Sequence, residues 1–153
     1  MIAFLVLIGS VAVYGQHHGQ AHNHSCIHNN HHQLLSSQVV SNVIADIDKD
    51  GDGIVEPTEV KAEFVARYDV DKNGNITEDE FVKQWHQHYH DDRDFVGYLF
   101  DNFDVNDDMS LTDSDLVAWS KNLDTDGNGE ISIAEFQHYM MNLYTNCVTA
   151  HGN

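Results

Sequence analysis

Positive charge is scarce in this sequence. Its 153 residues contain seven Lys and Arg against 25 Asp and Glu, which gives a formal net charge of −18. Nucleic acid and anionic membrane surfaces are also negatively charged, so this balance argues against electrostatic binding to either of them. It favours cations as partners.

Long apolar runs are scarce as well. The clearest one is MIAFLVLIGSVAVYG, residues 1–15, which falls short of the roughly 20 residues that a membrane-spanning helix needs. Its small residues at Val13 and Gly15 are typical of a cleavable secretory signal peptide. We therefore expect a mature protein that starts near Gln16 and is secreted to the extracellular space. The alternative is a membrane anchor.

Cysteine occurs only twice. Cys26 and Cys147 lie on either side of the region predicted below to be helical. In an oxidising extracellular compartment they predict an internal disulfide that closes a loop of over a hundred residues. Two free thiols, or a bond to another chain, are the alternatives.

Acidic twelve-residue segments are abundant. In the pattern D-x-[DN]-x-[DN]-G-x5-E, side chains at positions 1, 3, 5, 9 and 12 and the backbone carbonyl at position 7 supply oxygen ligands, and glycine at position 6 makes a sharp turn. Segments 48–59, 69–80 and 124–135 match it fully. Their candidate metal ligands are Asp48, Asp50, Asp52, Glu56 and Glu59; Asp69, Asp71, Asn73, Asn75, Thr77 and Glu80; and Asp124, Asp126, Asn128, Glu130, Ser132 and Glu135.

A fourth segment, 104–115, departs from the pattern at two positions. Met109 replaces the turn glycine, and Asp115 replaces the longer Glu that binds through both oxygens. The remaining candidates are Asp104, Asn106, Asp108, Ser110 and Thr112. Weak calcium binding, a preference for magnesium, and a purely structural role remain open for this segment.

Together, the four segments resemble the EF-hand, calmodulin-like calcium-binding family. The resemblance covers about residues 34–146 and implies an all-α fold, calcium as the bound ion, and antiparallel pairing of neighbouring loops at their eighth positions. Because the carboxylates are committed to cation binding and no separate nucleophile or cofactor motif occurs, we do not expect an enzyme.

The spacing of the loops predicts how they pair. The spacer 60–68 is too short for two helices, and Pro57 is well placed at a helix start, so one helix over about 57–69 is shared by the first two loops. Residues 116–123 are likewise expected to form one helix that is shared by the last two loops. We expect about six helices, with loop 2 paired to loop 3 across Ile76 and Leu111, and loop 1 to loop 4 across Val55 and Ile131. Pairing of loops 1 and 2 through a broken spacer is the alternative.

Histidines are concentrated near the N-terminus. Residues 16–33 are predicted to be a disordered tail, because the segment is strongly polar. Its imidazoles suit copper, zinc or nickel. The candidate ligands are His17, His18, His22, His24, His28, His31 and His32. A second group, His86, His88 and His90, lies on a predicted helix where only His86 and His90 share a face.

These observations predict an EF-hand domain over 34–147 and a short C-terminal tail over 148–153. The expected function is secreted calcium binding in a buffering or structural role, with mineral or extracellular matrix as a further partner, as in acidic calcium proteins of invertebrate extracellular fluids. A calcium sensor that captures a partner helix and a transition-metal carrier that uses the tail are the alternatives.

Asn23 and Asn75 lie in sequons for N-glycosylation. The sequence predicts no oligomeric state.

Overall fold

Helices contain just over half of residues 24–148, the part of the chain that this computed structural model describes. The six helices are α1 (Ser36–Ile47), α2 (Pro57–Arg67), α3 (Glu78–Tyr89), α4 (Arg93–Phe103), α5 (Asp113–Leu123) and α6 (Ile133–Thr145). Two short strands, β1 (Ile76–Thr77) and β2 (Ser110–Leu111), form an antiparallel pair. The predicted all-α class with about six helices is confirmed. The predicted signal peptide (1–15), residues 16–23 and most of the predicted C-terminal tail lie outside the described residues.

No helix within residues 24–148 combines the length and the apolar character that a membrane crossing requires.

The last residues of an acidic loop also form the first turn of the helix that follows it. Ser132 caps α6, because its hydroxyl accepts the Glu135 N–H at 3.3 Å, while the Glu135 carboxylate accepts the Ser132 N–H at 2.9 Å. Thr77 and Glu80 form the same reciprocal pair at the start of α3. This arrangement is a capping box, which satisfies backbone donors that the first helical turn leaves unpaired.

Two helices each join a pair of loops. α2 has 11 residues, begins with Pro57, and spans roughly 16 Å at 1.5 Å per residue. α5 also has 11 residues and begins at Asp113, three residues before the predicted start at 116. The earlier start follows from Thr112, which occupies the N-cap position and makes the last loop positions helical.

Aromatic rings from four helices form the centre of the core. Phe103 of α4 lies 5.1 Å from Trp119 of α5 and 5.7 Å from Phe81 of α3, measured between ring centres. Phe64 of α2 lies 6.2 Å from Phe81. All four side chains are buried. The helices that position the loops therefore pack around one shared core.

The segment 24–35, which we call the N-terminal strap, lies against the body of the protein. Its residues 24–33 belong to the predicted disordered tail, 16–33, and they make the contacts that follow. Cys26 is bonded to Cys147, with their Cα atoms 5.2 Å apart, as the sequence predicts. The Asn30 side chain donates to the Tyr89 carbonyl at 2.8 Å, and the Asp92 N–H donates to the Asn29 carbonyl at 2.7 Å. These bonds supply the ordering that composition could not reveal.

Candidate metal centres

Four loops have the same backbone turn. We number them by position: loop 1 (48–59), loop 2 (69–80), loop 3 (104–115) and loop 4 (124–135). At the sixth position of each, the backbone is left-handed, with φ of +88° at Gly53, +85° at Gly74, +66° at Met109 and +86° at Gly129. Glycine adopts this conformation without steric cost, whereas methionine does not. Loop 3 therefore makes the turn against the preference of its residue.

Three loops bring carboxylates together. In each, one oxygen from positions 1, 3 and 12 lies within 4.8 Å of the other two. Calcium holds its oxygen ligands at about 2.3–2.6 Å, so oxygens on opposite sides of one ion are about 5 Å apart. The donor set and its separation therefore fit a calcium ion. The three groups are Asp48, Asp50 and Glu59; Asp69, Asp71 and Glu80; and Asp124, Asp126 and Glu135.

Backbone donors hold the first aspartate of each cluster in place. In loop 4, Asp124 accepts the Gly127 N–H at 2.8 Å through one oxygen and the Gly129 N–H at 2.9 Å through the other. In loop 1, Asp48 accepts from Gly51 and Gly53 in the same way, at 2.8 and 3.3 Å. The aspartates are thus oriented by the turn itself.

Two of the closing glutamates, Glu80 and Glu135, are held in the charged form. The Ser132 N–H and hydroxyl, with the Thr125 hydroxyl and N–H, donate to Glu135 and lower its pKa to about 2. Partial burial opposes ionisation of Glu80, but donors from Thr77 outweigh it and lower the pKa of Glu80. Both side chains are therefore anionic at neutral pH, as a calcium ligand must be.

Loops meet in pairs at the two ends of the shared helices. Ile76 of loop 2 lies opposite Leu111 of loop 3 in the β1–β2 pair. At the other end, the Val55 N–H of loop 1 donates to the Ile131 carbonyl of loop 4 at 2.7 Å. Loops 2 and 3 thus form one end, and loops 1 and 4 form the other.

A model for the EF-hand domain pair matches residues 59–141, more than half of the chain. The chain belongs to the EF-hand family. No curated protein and no solved structure matches it. Because this family binds calcium, the three carboxylate clusters are its expected calcium sites.

The other predicted ligands of the EF-hand loops lie beside the clusters. Asn73 and Asn128 each accept a backbone N–H two residues on through their amide oxygens, both at 2.7 Å. Asp52 accepts the Ile54 N–H at 2.8 Å. These fifth-position side chains therefore also hold the turn, and their role as ligands stays a prediction. Asn75 and Glu130 occupy the exposed seventh position, where the backbone carbonyl is the predicted ligand.

Glu56 stands next to a like charge. Its carboxyl group shares a hydrogen bond with Glu59, and this bond, with nearby acidic groups, raises the pKa of Glu56. A cation in loop 1 would relieve this repulsion. Glu56 therefore fits its predicted ligand position, although it lies outside the group of three converging oxygens.

The third EF-hand loop differs in its carboxylates. Within residues 24–148, loop 3 does not bring three carboxylate oxygens together as the other loops do, and its third position is Asn106 rather than an aspartate. Asp115 is buried, and one of its oxygens accepts the Thr112 N–H at 3.0 Å, while the other has no partner among the described residues. Burial raises the pKa of Asp104. Loop 3 therefore lacks the three-carboxylate cluster that the other loops share.

Two further predicted ligands of loop 3, Asn106 and Thr112, make hydrogen bonds within the loop. Asn106 accepts the Asp108 N–H at 2.9 Å, and the Thr112 hydroxyl donates to Asp115 at 2.7 Å. The Ser110 hydroxyl has no partner among the described residues.

Within residues 24–148, the predicted transition-metal histidines do not form one group. His24 lies between Glu78 at 2.8 Å and Asp94 at 3.3 Å, whereas His28 bonds to Asp91 at 2.9 Å. His31 instead contacts His86 of α3, and His32 contacts His90, the residue that follows α3. His17, His18 and His22 lie outside the described residues.

Asp91 is the important residue that the sequence analysis missed. It is completely buried, and it accepts hydrogen bonds from Trp85 at 3.0 Å and Tyr144 at 2.6 Å as well as from the strap. An acidic residue in the turn between two helices normally indicates a solvated surface or a helix cap. No local signal in the sequence could therefore have identified it.

Proposed function

We propose that this EF-hand protein is secreted and binds calcium ions as a buffer or as a structural component of an extracellular matrix. The observation that carries the proposal is the set of three carboxylate clusters, whose oxygens fit single calcium ions. The Cys26–Cys147 bond supports an oxidising compartment, because disulfides are rare in reducing ones. The apolar residues 1–15 support secretion.

Binding would draw on a turn that is already folded. Backbone N–H groups orient the carboxylates of loops 1, 2 and 4, so calcium enters a formed cage and offsets the repulsion within it. Three ions would change the formal net charge from −18 to about −12. Calcium sites of extracellular modules have dissociation constants of about 0.1–1 mM, a range in which loading follows the surrounding concentration.

Two observations favour a buffer over a sensor. The core aromatics are buried between the helices rather than lining an open groove. Sensors of this kind expose a methionine-rich surface on calcium binding, but the chain has four methionines in all, and Met140 is buried. A structural or buffering role therefore suits the described part of the chain better.

Calcium titration calorimetry on the mature, disulfide-bonded protein tests this proposal, with a hydrophobic dye present in a parallel experiment. We expect three binding sites, a lower melting temperature in chelator, and a dye signal that calcium leaves unchanged. A strong calcium-dependent rise in dye fluorescence would instead support a sensor. No change in melting or ion content on chelation would contradict calcium binding altogether.

A further inference from the structure

Four histidines from two distant parts of the chain meet on one surface. His31 and His32 belong to the strap, and His86 and His90 lie at the end of α3. The ring centres of His31 and His86 are 5.0 Å apart and nearly perpendicular, while those of His32 and His90 are 3.6 Å apart and stacked. We call these residues the histidine cluster.

The strap holds this cluster together through its backbone. The His31 N–H donates to the His90 carbonyl at 2.8 Å, so the peptide groups of the two segments are joined at this point. Cys26, five residues earlier, is tethered to Cys147. The two pairs of imidazoles therefore meet because of the fold, and not through chance contacts of a free tail.

His86 is oriented as metal-binding histidines are. Its Nδ1 lies 2.6 Å from the Asp91 carbonyl oxygen. A carbonyl only accepts, so Nδ1 carries the proton, and the neutral ring keeps its lone pair on Nε2. A backbone carbonyl on the other nitrogen is the usual partner of a histidine that ligates a metal.

The spacing of the rings suits a single ion. Two imidazoles bound to one tetrahedral zinc ion, with Zn–N near 2.0–2.1 Å, have ring centres about 5 Å apart. His31 and His86 have this separation. An acidic group is also close, because His31 Nε2 lies 3.7 Å from Asp92 Oδ2.

The cluster is less closed than the calcium sites. Its nitrogens do not form a group of three within 4.8 Å, as the carboxylates do. His31 has 55% of its side chain exposed, so its ring is free to turn toward an ion.

We propose that His31 and His86 bind one Zn²⁺ ion where the strap crosses α3, with Asp92 or water completing the coordination. Nitrogen ligands select zinc over calcium, whereas the EF-hand loops offer oxygen. The site is therefore separate from the calcium sites and belongs to the folded domain rather than to residues 16–23.

Zinc titration calorimetry on the mature full-length chain in saturating calcium tests the proposal. The starting protein is H17A/H18A/H22A, which removes the three histidines on the N-terminal side of the described residues. We expect it to bind one Zn²⁺ per chain, with at least tenfold weaker binding in H31A and in H86A. H138A is the matched control, because His138 lies on α6 and bonds only to Asn142 in the described structure, and it should bind zinc normally.

A second readout guards against misfolding. Zinc should raise the melting temperature of H17A/H18A/H22A and leave that of the same protein carrying H31A/H86A unchanged, while calcium stoichiometry stays equal in both. The proposal is overturned if H17A/H18A/H22A abolishes zinc binding. It is equally overturned if H31A/H86A binds zinc normally, or if only H32A/H90A weakens it.

Discussion

Asp91 joins three parts of the molecule through one carboxylate. It accepts from His28 and Asn30 of the strap, from Trp85 of α3 and from Tyr144 of α6. Burial alone would favour the neutral acid, but these four donors outweigh it and lower the pKa of Asp91. The charged form is therefore the one that the native fold stabilises.

Replacing Asp91 with asparagine should destabilise the protein by about 2 kcal/mol at pH 7, because buried donors lose their acceptor. A lowered native pKa stabilises the fold above the ordinary value of 3.8 and ceases to do so as the pH falls through the native value. The difference between wild type and D91N should therefore shrink below pH 3.8.

Urea unfolding in chelator at several pH values measures this difference. D92N is the matched control, since Asp92 is the N-cap of α4 and asparagine caps helices equally well. A D91N protein as stable as wild type at pH 7 would show that the buried carboxylate is not needed.

The closing glutamate of loop 4 allows a second test at the level of single residues. E135Q removes the negative charge of the carboxylate whose oxygen lies within 4.8 Å of oxygens of Asp124 and Asp126. We expect loss of one of three calcium sites, or at least tenfold weaker binding there, which is about 1.4 kcal/mol. E130Q makes the same chemical change in the same loop at a position that offers only its backbone carbonyl, so calorimetry should find its three sites intact.

The shared helix α2 connects two calcium loops, so a substitution in α2 should affect calcium binding in both loops. Ala62 is exposed near the middle of this helix, and A62G should cost about 1 kcal/mol through helix propensity alone. We expect weaker calcium binding in loops 1 and 2 together.

The same substitution at Ala45 is the control for A62G. Ala45 is exposed in α1, which adjoins loop 1 only, so A45G should weaken loop 1 and spare loop 2. Calcium titration followed by NMR of the sixth-position glycines separates the loops. Selective loss in loop 1 alone would contradict coupling through α2.

The helices and loops could be predicted because their signals are local. Ligand spacing located loops 1, 2 and 4, and the short spacer predicted one helix where the structure has α2. The strap could not be predicted in this way. Its order depends on Asn30 meeting Tyr89 and Asp91, about sixty residues away, and composition registers only that the segment is polar.

For the whole molecule, the Cys26–Cys147 bond should be the largest single source of stability outside the core. It closes a loop with a sequence separation of 121 residues. In the chain-entropy model, such a loop is worth about 4 to 5 kcal/mol, since it restricts the unfolded chain.

C26S/C147S should therefore lower the free energy of unfolding by several kcal/mol in urea titrations with calcium present. Wild-type protein in a strong reductant is the control and should match the double variant. When both proteins are unfolded in reductant, their free energies of unfolding should be equal. Equal stability of oxidised wild type and C26S/C147S would contradict this prediction.

The same bond affects how the protein meets proteases. A single cut at any peptide bond between residues 26 and 147 yields two pieces that stay covalently attached. The nicked molecule would keep its mass, apart from one added water, until a reductant separates the halves. A protein of this kind could survive clipping in a protease-rich fluid and retain both pairs of ion-binding loops in one particle.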